Sequence, residues 1–351
     1  MTIRDSILVI QEHLAEWDVA FVEIDVYGTS DAASIAELVD RFTREQLGSG
    51  VAGHLRYGSS VGSTHCVELL DGRRVVIKAR PPADADAPVP IDREMLAQIV
   101  LVQRHLSALG YPCPEPLLGP VPLGRGLATV ERYMDRGSHR DAHDPHVCDL
   151  IAAGLHEQIT LLAPLTSTVR PRHLEVPADR LFPRPHGKLF NPSEAEADTG
   201  WVRDIARRAR TVAESVPSPI VLAHCDWRAE HIRFEGDAIV ATYDWDSVAL
   251  RSELHVVGAN AHGYTADWSQ ETIRRVPTYE GMLGFIAAYD RARAVPFTRE
   301  QHRGARAWAA YCIAYGAWIS IAPGDTDWPE DSWPALLRDC GERLLADQTS
   351  R

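Results

Sequence analysis

Three features that would restrict the function of this chain are missing from its sequence. There is no apolar run of about 18 residues, so no transmembrane helix and no membrane partner are predicted. The six cysteines are scattered without a CxxC pair, which indicates neither a zinc knuckle nor a disulfide framework. The N-terminus lacks a basic segment followed by an apolar run and so does not resemble a signal peptide. These absences predict a cytoplasmic protein with reduced thiols.

An excess of positive charge is also missing. The chain has 36 lysines and arginines against 49 aspartates and glutamates, which gives a formal net charge of −13. A nucleic-acid partner is therefore not expected, since such a binder needs a basic face to neutralise phosphates. The acidity fits a cationic substrate, which an acidic cleft attracts, and equally fits a protein kept soluble by its charge. It does not indicate an oligomeric state.

The length and composition predict a globular protein with two lobes. The 351 residues exceed what one hydrophobic core usually serves, and the hydrophobic fraction of 45% is ordinary for a globular chain. The first part of the chain is rich in strand and turn signals, whereas helical patterns dominate the second part. We place the first lobe at residues 1–134 and the second lobe at residues 135–351.

Local sequence patterns predict the helices and strands of the first lobe. Apolar positions at helical spacing predict helices over residues 1–17 and 31–47. The Asp71-Gly72 pair between two apolar runs is a strong signal for a β-hairpin. A further helix is predicted from about residue 92 to residue 109, because a glycine and two prolines follow it.

A short β-rich segment, residues 220–248, interrupts the helical second lobe. A strand leads to Asp226, and a hairpin returns the chain to Asp244. We expect both carboxylates at the same end of one small sheet. Two carboxylates in one place repel unless a cation or a proton lies between them. Phosphoryl transfer gives such a pair a use, because one carboxylate takes the proton of the acceptor hydroxyl and the other holds Mg²⁺.

The same segment carries a family resemblance. His224-x-Asp226-x4-His231 resembles the HxDxxxxN loop of aminoglycoside phosphotransferases and choline kinases, and Asp244-Trp245-Asp246 resembles their IDxD motif. The resemblance implies an α+β, bilobal, protein-kinase-like fold with a β-rich N-terminal lobe and a mainly helical C-terminal lobe. It also implies an ATP-dependent or GTP-dependent phosphotransferase that uses Mg²⁺. Asp226 would be the catalytic base, Asp244 the principal metal ligand, Asp246 a further group at the metal, and His224 a structural support.

The last position of the loop departs from the family, which has asparagine where this chain has His231. Three interpretations are open. His231 ligates the metal and allows Mn²⁺ as an alternative to Mg²⁺, it hydrogen-bonds phosphate or Asp226, or activity has been lost. Glu230 is an additional oxygen donor, although its side chain would point away if a strand had already begun. Arg228 either contacts the γ-phosphate or pairs with Glu230 or Asp244.

Lys78 extends the resemblance upstream. It ends the strand Val75-Val76-Ile77-Lys78, which resembles the VAIK lysine that holds the nucleotide phosphates. Its usual partner is a glutamate on the next helix. We predict a Lys78–Glu94 pair, with an exposed glutamate in the first helical turn as the rival interpretation.

Two more segments are predicted to contact the nucleotide. The loop that contains Ser59, Ser60 and Ser63 would cover the phosphates with its backbone N–H groups and hydroxyls. The strand that contains Glu131 and Tyr133 resembles the hinge between lobes, where backbone groups would bond adenine.

The acceptor is less defined. Glu253 and Asp267, together with Trp268 and Trp308, could hold an amine through ion pairs and cation–π contacts, and the same residues fit core and surface positions. The predicted acceptor is a hydroxylated small molecule, with an aminoglycoside, an amino sugar and another amine-bearing metabolite as candidates. A catalytically impaired, kinase-like nucleotide-binding protein is the alternative function. A metal-dependent hydrolase also stays open, although it leaves Lys78 unexplained.

Overall fold

The computed structural model describes residues 3–16, 20–82, 92–171, 176–177, 179–183, 185, 199–322 and 325–346. The chain forms two compact units, Met1–Asp135 and Arg136–Arg351. The predicted lobe boundary, between residues 134 and 135, lies one residue from this division. Among the described residues, no helix is long and apolar enough to cross a membrane.

A five-stranded antiparallel sheet forms the centre of the first unit, with the strand order β1-β2-β3-β5-β4. Val75, Ile77 and Ala79 of β3 are fully buried, because alternate residues of a strand point to the same face. The predicted Asp71-Gly72 turn joins β2 to β3, with Gly72 in the left-handed region at φ 84°. The strands are β1 (Val51–Ser59), β2 (Ser63–Leu69), β3 (Arg74–Arg80), β4 (Pro116–Leu123) and β5 (Gly126–Arg132).

Four helices accompany this sheet in the described part of the first unit, and their ends follow ordinary capping chemistry. The Asp31 carboxylate accepts a hydrogen bond from the Ser34 N–H at 2.8 Å, and the Asp92 carboxylate accepts one from the Met95 N–H at 2.8 Å. Both caps satisfy N–H groups that the first helical turn leaves unpaired. The helices are α1 (Ile3–Ala15), α2 (Phe21–Tyr27), α3 (Ala32–Leu47) and α4 (Arg93–Ala108).

The second unit is mainly helical, with α9 (Arg299–Ser320) at its centre. Helices α6, α7 and α10 pack against α9. Ala309, Ile313 and Ala317 of α9 are fully buried in the shared core, because three- and four-residue steps return to the same helical face. The other helices are α5 (Pro145–Leu162), α6 (Gly200–Glu214), α7 (Glu253–Gly263), α8 (Tyr279–Ala292) and α10 (Trp333–Leu345).

The β-rich segment of the second unit forms two small sheets, so the prediction of one sheet is wrong. β6 (Ile220–His224) pairs with β9 (Val248–Ser252), a strand that the sequence analysis did not propose. β7 (Ile232–Glu235) pairs with β8 (Ala238–Thr242) in the predicted hairpin. A short 3₁₀ turn, Trp245–Ser247, brings the chain back so that Val248 lies opposite His224. This return connects the end of the hairpin with the end of β6.

Candidate active site

His224 links the two acidic segments of the second unit. Its Nδ1 accepts a hydrogen bond from the Asp226 N–H at 3.1 Å, and its Nε2 donates one to the Tyr243 carbonyl at 3.1 Å. The ring is fully buried, and burial lowers the pKa of His224 to about 4. One ring nitrogen must accept while the other donates, so the imidazole is neutral. The neutral His224 ring thus connects the backbone of Asp226 with the backbone of Tyr243, the residue before Asp244. This position fits the structural role that we predicted for His224.

Asp226, His231 and Asp244 form one cluster. Each offers a ligand atom, and these three atoms lie within 4.8 Å of one another. The predicted proximity of Asp226 and Asp244 is thus confirmed, although two sheets rather than one produce it. Asp244 has φ 60°, and among the described residues no other non-glycine residue has a positive φ. Aspartate tolerates this left-handed conformation better than most residues. Asp246 lies in the 3₁₀ turn that follows, outside the cluster.

The His231 ring has a defined orientation. Its Nδ1 lies 2.9 Å from the Asp226 carbonyl, which can only accept, so Nδ1 carries the proton. In the neutral ring the lone pair is on Nε2, and this atom lies 3.4 Å from Arg228 Nη2 and 3.7 Å from Asp244 Oδ2. A backbone bond that fixes the tautomer is the usual way in which proteins orient a histidine ligand. His231, Asp244 and Asp226 are accordingly suited to hold a divalent cation.

Arg228 lies between two carboxylates. Its Nη1 is 3.3 Å from Asp226 Oδ1, and its Nη2 is 3.0 Å from Glu230 Oε2. The sequence analysis named Glu230 and Asp244 as possible ion-pair partners of Arg228. The structure shows the pair with Glu230 and a further pair with Asp226. Burial favours the neutral form of Asp226, but Arg228 and His231 outweigh burial, so the pKa of Asp226 lies below its ordinary value. Asp226 is ionised near neutral pH, as a proton acceptor must be.

Asn260 of α7, a residue that the sequence analysis did not propose, holds the backbone of this loop. Its Oδ1 accepts from the Trp227 N–H at 2.7 Å, and its Nδ2 donates to the His224 carbonyl at 3.2 Å and to the Val256 carbonyl at 2.9 Å. The side chain is 2% exposed. Buried backbone groups need partners, so Asn260 fixes the path of the loop without touching the cluster. No motif in the sequence signals this contact.

Lys78 has a buried partner in the first unit, and that partner is not Glu94. Lys78 Nζ lies 3.6 Å from Glu131 Oε1, and the two side chains are only 10% and 8% exposed. Gln103 Nε2 of α4 donates to Glu131 Oε2 at 2.7 Å. Glu94 is exposed in the first turn of α4 and accepts a hydrogen bond from Gln98 at 3.5 Å. The predicted Lys78–Glu94 pair is therefore wrong.

The register between β3 and β5 explains why Lys78 pairs with Glu131. Val76 lies opposite Glu131 and Lys78 lies opposite Thr129, so Lys78 and Glu131 are diagonal neighbours on one face of the sheet. The sequence analysis considered only backbone bonds of Glu131 to adenine. Its side chain instead neutralises Lys78.

The loop that contains Ser59, Ser60 and Ser63 connects β1 to β2, and these serines differ in solvent accessibility. The Ser59 N–H donates to His13 Nε2 at 3.0 Å, and the Ser60 N–H donates to the Gly62 carbonyl at 2.9 Å. Ser63 is fully buried, and its hydroxyl is bonded to the Tyr27 hydroxyl. The predicted contact between the Ser63 hydroxyl and a phosphate is therefore not supported by its position.

Tyr133 follows β5, where the hinge was predicted. Its backbone N–H donates to the Arg74 carbonyl at 3.2 Å, within the first unit. This N–H group is therefore already paired, and the predicted bond between it and adenine would need that pairing to break.

The carboxylates considered for an amine site already have partners. Glu253 is buried and contacts Arg293 and, at 2.8 Å, the Tyr289 hydroxyl. Asp267 Oδ2 lies 2.7 Å from His139 Nδ1, and its side chain is 3% exposed. Both carboxylates are therefore already paired with side chains of the second unit. Trp268 is exposed at 50%, and the guanidinium of Arg275 covers its ring at 4.5 Å.

Several solved structures resemble this fold. They include an ethanolamine kinase from Plasmodium vivax (15% identity, TM-score 0.52, 95% of this chain and 93% of that chain). A choline kinase from Streptococcus pneumoniae has 12% identity and a TM-score of 0.55 over 88% of this chain and 98% of that chain. A thermostable mutant of aminoglycoside phosphotransferase APH(4)-Ia, in a ternary complex with AMP-PNP and hygromycin B, has 16% identity and a TM-score of 0.52 over 88% and 97%. At these identities the likeness shows the fold, which is the predicted protein-kinase-like one.

Sequence comparison gives the family. Comparison with curated proteins finds no significant match. The model of the phosphotransferase enzyme family matches residues 64–251, more than half of the chain, and this range contains Lys78 and the whole Asp226/His231/Asp244 cluster. The chain therefore belongs to the phosphotransferase enzyme family.

Proposed function

We propose that this protein transfers the γ-phosphoryl group of ATP or GTP to a hydroxyl group of a small molecule. The observation that carries the proposal is the Asp226/His231/Asp244 cluster, with His224 as the neutral bridge behind it. A proton acceptor and a set of cation ligands side by side are what this reaction requires.

Each charged residue has a separate task in this proposal. Asp226 orients the acceptor hydroxyl and takes its proton as the oxygen attacks the γ-phosphorus. The bond from that phosphorus to the β–γ bridging oxygen breaks, and a nucleoside diphosphate leaves. Lys78, kept in place by Glu131, holds the nucleotide phosphates. A bound divalent cation would neutralise phosphate charge, and Asp244 and His231 are the residues that would hold it.

The acceptor is proposed as a hydroxylated small molecule without a required amine. Glu253 and Asp267, the candidates for pairing with an amine, are engaged by Arg293 and His139. Choline, ethanolamine and hygromycin B, which the names of the structural relatives mention, are useful probes of acceptor type. Amine-free polyols complete the probe set.

An active enzyme is better supported than an impaired one. Lys78, Asp226 and Asp244 are all present, and the lowered pKa of Asp226 keeps the base ionised. A hydrolase would use the same cluster but has no need of a buried Lys78–Glu131 pair.

The test uses Asp226→Asn. We expect acceptor-dependent release of nucleoside diphosphate to fall about 10²–10⁴-fold, because the variant removes the base but keeps its shape. Nucleotide affinity, measured by calorimetry with the same metal, should change far less than turnover, since Asp244 and His231 remain to hold the cation.

Asp237→Asn is the matched control. Asp237 lies in the turn between β7 and β8, is 64% exposed and pairs with Arg140 outside the cluster. It should leave turnover unchanged. Full turnover in Asp226→Asn would contradict the proposal, as would acceptor phosphorylation that persists without any nucleotide. Nucleotide binding without turnover on any probe in the unmodified protein would favour the impaired alternative.

A further inference from the structure

The loop over residues 59–63, between β1 and β2, lies close to Lys78 in the sheet. Ser63 begins β2, and the next residue, Thr64, lies opposite Lys78 of β3. Successive residues of a strand point to opposite faces of the sheet, so Ser63 points away from the face that carries the Lys78 side chain. We call the face with Lys78 the front face and the face with Ser63 the rear face.

Helix α1 holds the first end of this loop. The Ser59 N–H donates to His13 Nε2 at 3.0 Å, and the Ser59 Oγ lies 3.0 Å from the same nitrogen. A backbone N–H can only donate, so His13 Nε2 carries no proton and accepts. The His13 ring also meets the Tyr57 ring edge to face, with 5.1 Å between their centroids. One side chain of α1 therefore fixes the last residue of β1.

Helix α2 holds the second end. The Tyr27 hydroxyl is bonded to the Ser63 hydroxyl and lies 2.6 Å from His65 Nε2. His65 Nδ1 in turn lies 2.8 Å from His54 Nε2 of β1. Tyr27 is 6% exposed, and Ser63 and His65 are fully buried. Buried polar groups need these partners, so the chain of bonds ties the first residue of β2 to α2.

A third contact joins α2 to β1. The Tyr57 hydroxyl donates to Glu23 Oε1 at 2.6 Å, and both side chains are buried. Tyr57 precedes Ser59 by two residues, so both point to the rear face. Directional hydrogen bonds fix the position of a strand more narrowly than apolar contacts do. Both strands that carry the loop are thus held from the rear by the first two helices.

The part of the loop between these ends is short and exposes a hydroxyl group. The Ser60 N–H donates to the Gly62 carbonyl at 2.9 Å, which closes the turn, and Ser60 is exposed. Only three residues separate the two held ends, Ser59 and Ser63. The position of the exposed tip therefore depends on the helices behind it.

We propose that His13 and Tyr27 are positioning residues for the nucleotide, because they fix the two ends of the loop that covers its phosphates. The inference rests on the proposed function, in which Lys78 holds those phosphates on the front face of the same sheet. It goes further in giving the N-terminal helices a part in nucleotide binding. A loop that is already held in place loses less conformational freedom when the nucleotide binds, so affinity is higher.

The test measures the loop and the nucleotide separately, on the full chain. Amide hydrogen exchange without nucleotide, followed by mass spectrometry, reports the opening of the peptide that contains residues 59–63. Calorimetry with AMP-PNP and Mg²⁺ gives the Kd of the nucleotide site. In His13→Ala we expect exchange of this peptide to be about ten-fold faster and Kd to rise about five- to ten-fold. The kcat at saturating nucleotide should change less than about two-fold, because His13 contacts no reacting group.

Two further variants test the mechanism. His13→Gln offers an amide oxygen that can accept from the Ser59 N–H, so it should restore Kd to within about two-fold of the unmodified protein. Tyr27→Phe removes the bond at the second end of the loop and should also raise Kd about five- to ten-fold.

Ile10→Val is the matched control for a loss of stability alone. Ile10 of α1 is fully buried in the core of the first unit. Its truncation loosens the packing of the helix and leaves the hydrogen bonds of His13 in place. The midpoint of urea denaturation should fall, whereas Kd for AMP-PNP should stay within about two-fold.

The outcomes separate this inference from the proposed function. Unchanged Kd in both His13→Ala and Tyr27→Phe would overturn the inference, and phosphoryl transfer by the unmodified protein would still stand. An equal rise of Kd in Ile10→Val, or no recovery in His13→Gln, would also overturn it, because general destabilisation would then explain the loss. The expected changes of Kd without transfer to any acceptor would support the inference and count against the proposed function. An unmodified protein that binds no nucleotide would contradict both.

Discussion

The Lys78–Glu131 pair of the first unit and the Asp226 loop of the second unit hold their charged groups in different ways. Lys78 and Glu131 are 10% and 8% exposed and neutralise each other inside the sheet. Asp226 and Asp244 are 33% and 37% exposed, and backbone hydrogen bonds position the segments that carry them. A group that only supplies charge can be buried with a partner. A group that must exchange a proton or a ligand stays accessible, so its precision comes from the backbone.

Breaking the buried pair should give the largest effect on stability. Glu131→Gln leaves the Lys78 ammonium without its carboxylate, and we expect the free energy of unfolding to fall by about 3 kcal/mol. Urea denaturation followed by circular dichroism measures the loss. Glu94→Gln is the matched control, because Glu94 is exposed, and its effect should stay below about 0.5 kcal/mol. Equal effects of the two variants would mean that Glu131 is not the relevant partner.

Removing the Asn260 support of the Asp226 loop should have a smaller effect on stability and a specific effect on turnover. Asn260→Ala leaves the buried Trp227 N–H and His224 carbonyl without this partner, so the free energy of unfolding should fall by about 2 kcal/mol. We also expect kcat to fall about ten-fold, with little change in KM for the nucleotide. Steady-state kinetics at saturating acceptor separates these constants.

Asn260→Asp provides a graded comparison for that prediction. It retains the acceptor for the Trp227 N–H and loses the donor to the His224 carbonyl. Its kcat should lie between those of the unmodified protein and Asn260→Ala. A normal kcat in Asn260→Ala would show that the loop keeps its geometry without this residue.

The third expected effect is a pH dependence of the first unit. Burial lowers the pKa of His54 from 6.5 to about 4, and His54 bonds His65 at 2.8 Å within the same sheet. Between these pH values the unfolded chain binds more protons than the folded chain, so stability is lost as pH falls from 6.5 towards 4. From pH 7 to pH 5, His54 should account for about 2 kcal/mol of lost unfolding free energy.

Urea denaturation at both pH values, with variants, checks this dependence. His54→Gln should remove that part of the loss. His146→Gln, at a position that is 55% exposed, should retain it. The same pH dependence in His54→Gln and in the unmodified protein would show that other groups cause it.

Local patterns predicted several elements of the fold and the residues of the candidate site. The Asp71-Gly72 turn, the helix predicted from about residue 92 to residue 109 and the β7–β8 hairpin depend on neighbouring residues, and the structure has all three. Asp226 and Asp244 came from motif spacing, and their proximity is confirmed.

Partners distant in sequence could not be predicted in the same way. The selection of Glu131 by Lys78 depends on the register between β3 and β5, which no local pattern contains. The pairing of β6 with β9 and the contact of Asn260 with the loop are likewise long-range. The resemblance of the Val75–Lys78 strand to the VAIK motif drew attention to the lysine but not to its partner.

The left-handed backbone of Asp244 restricts how this position can change during evolution or engineering. Asparagine and glycine suit a φ of 60° but lack the charge, whereas glutamate keeps the charge and is disfavoured in that conformation. No single replacement satisfies both demands. A screen for altered metal use should therefore leave codon 244 fixed and diversify codon 231, where the side chain can be exchanged on ordinary backbone.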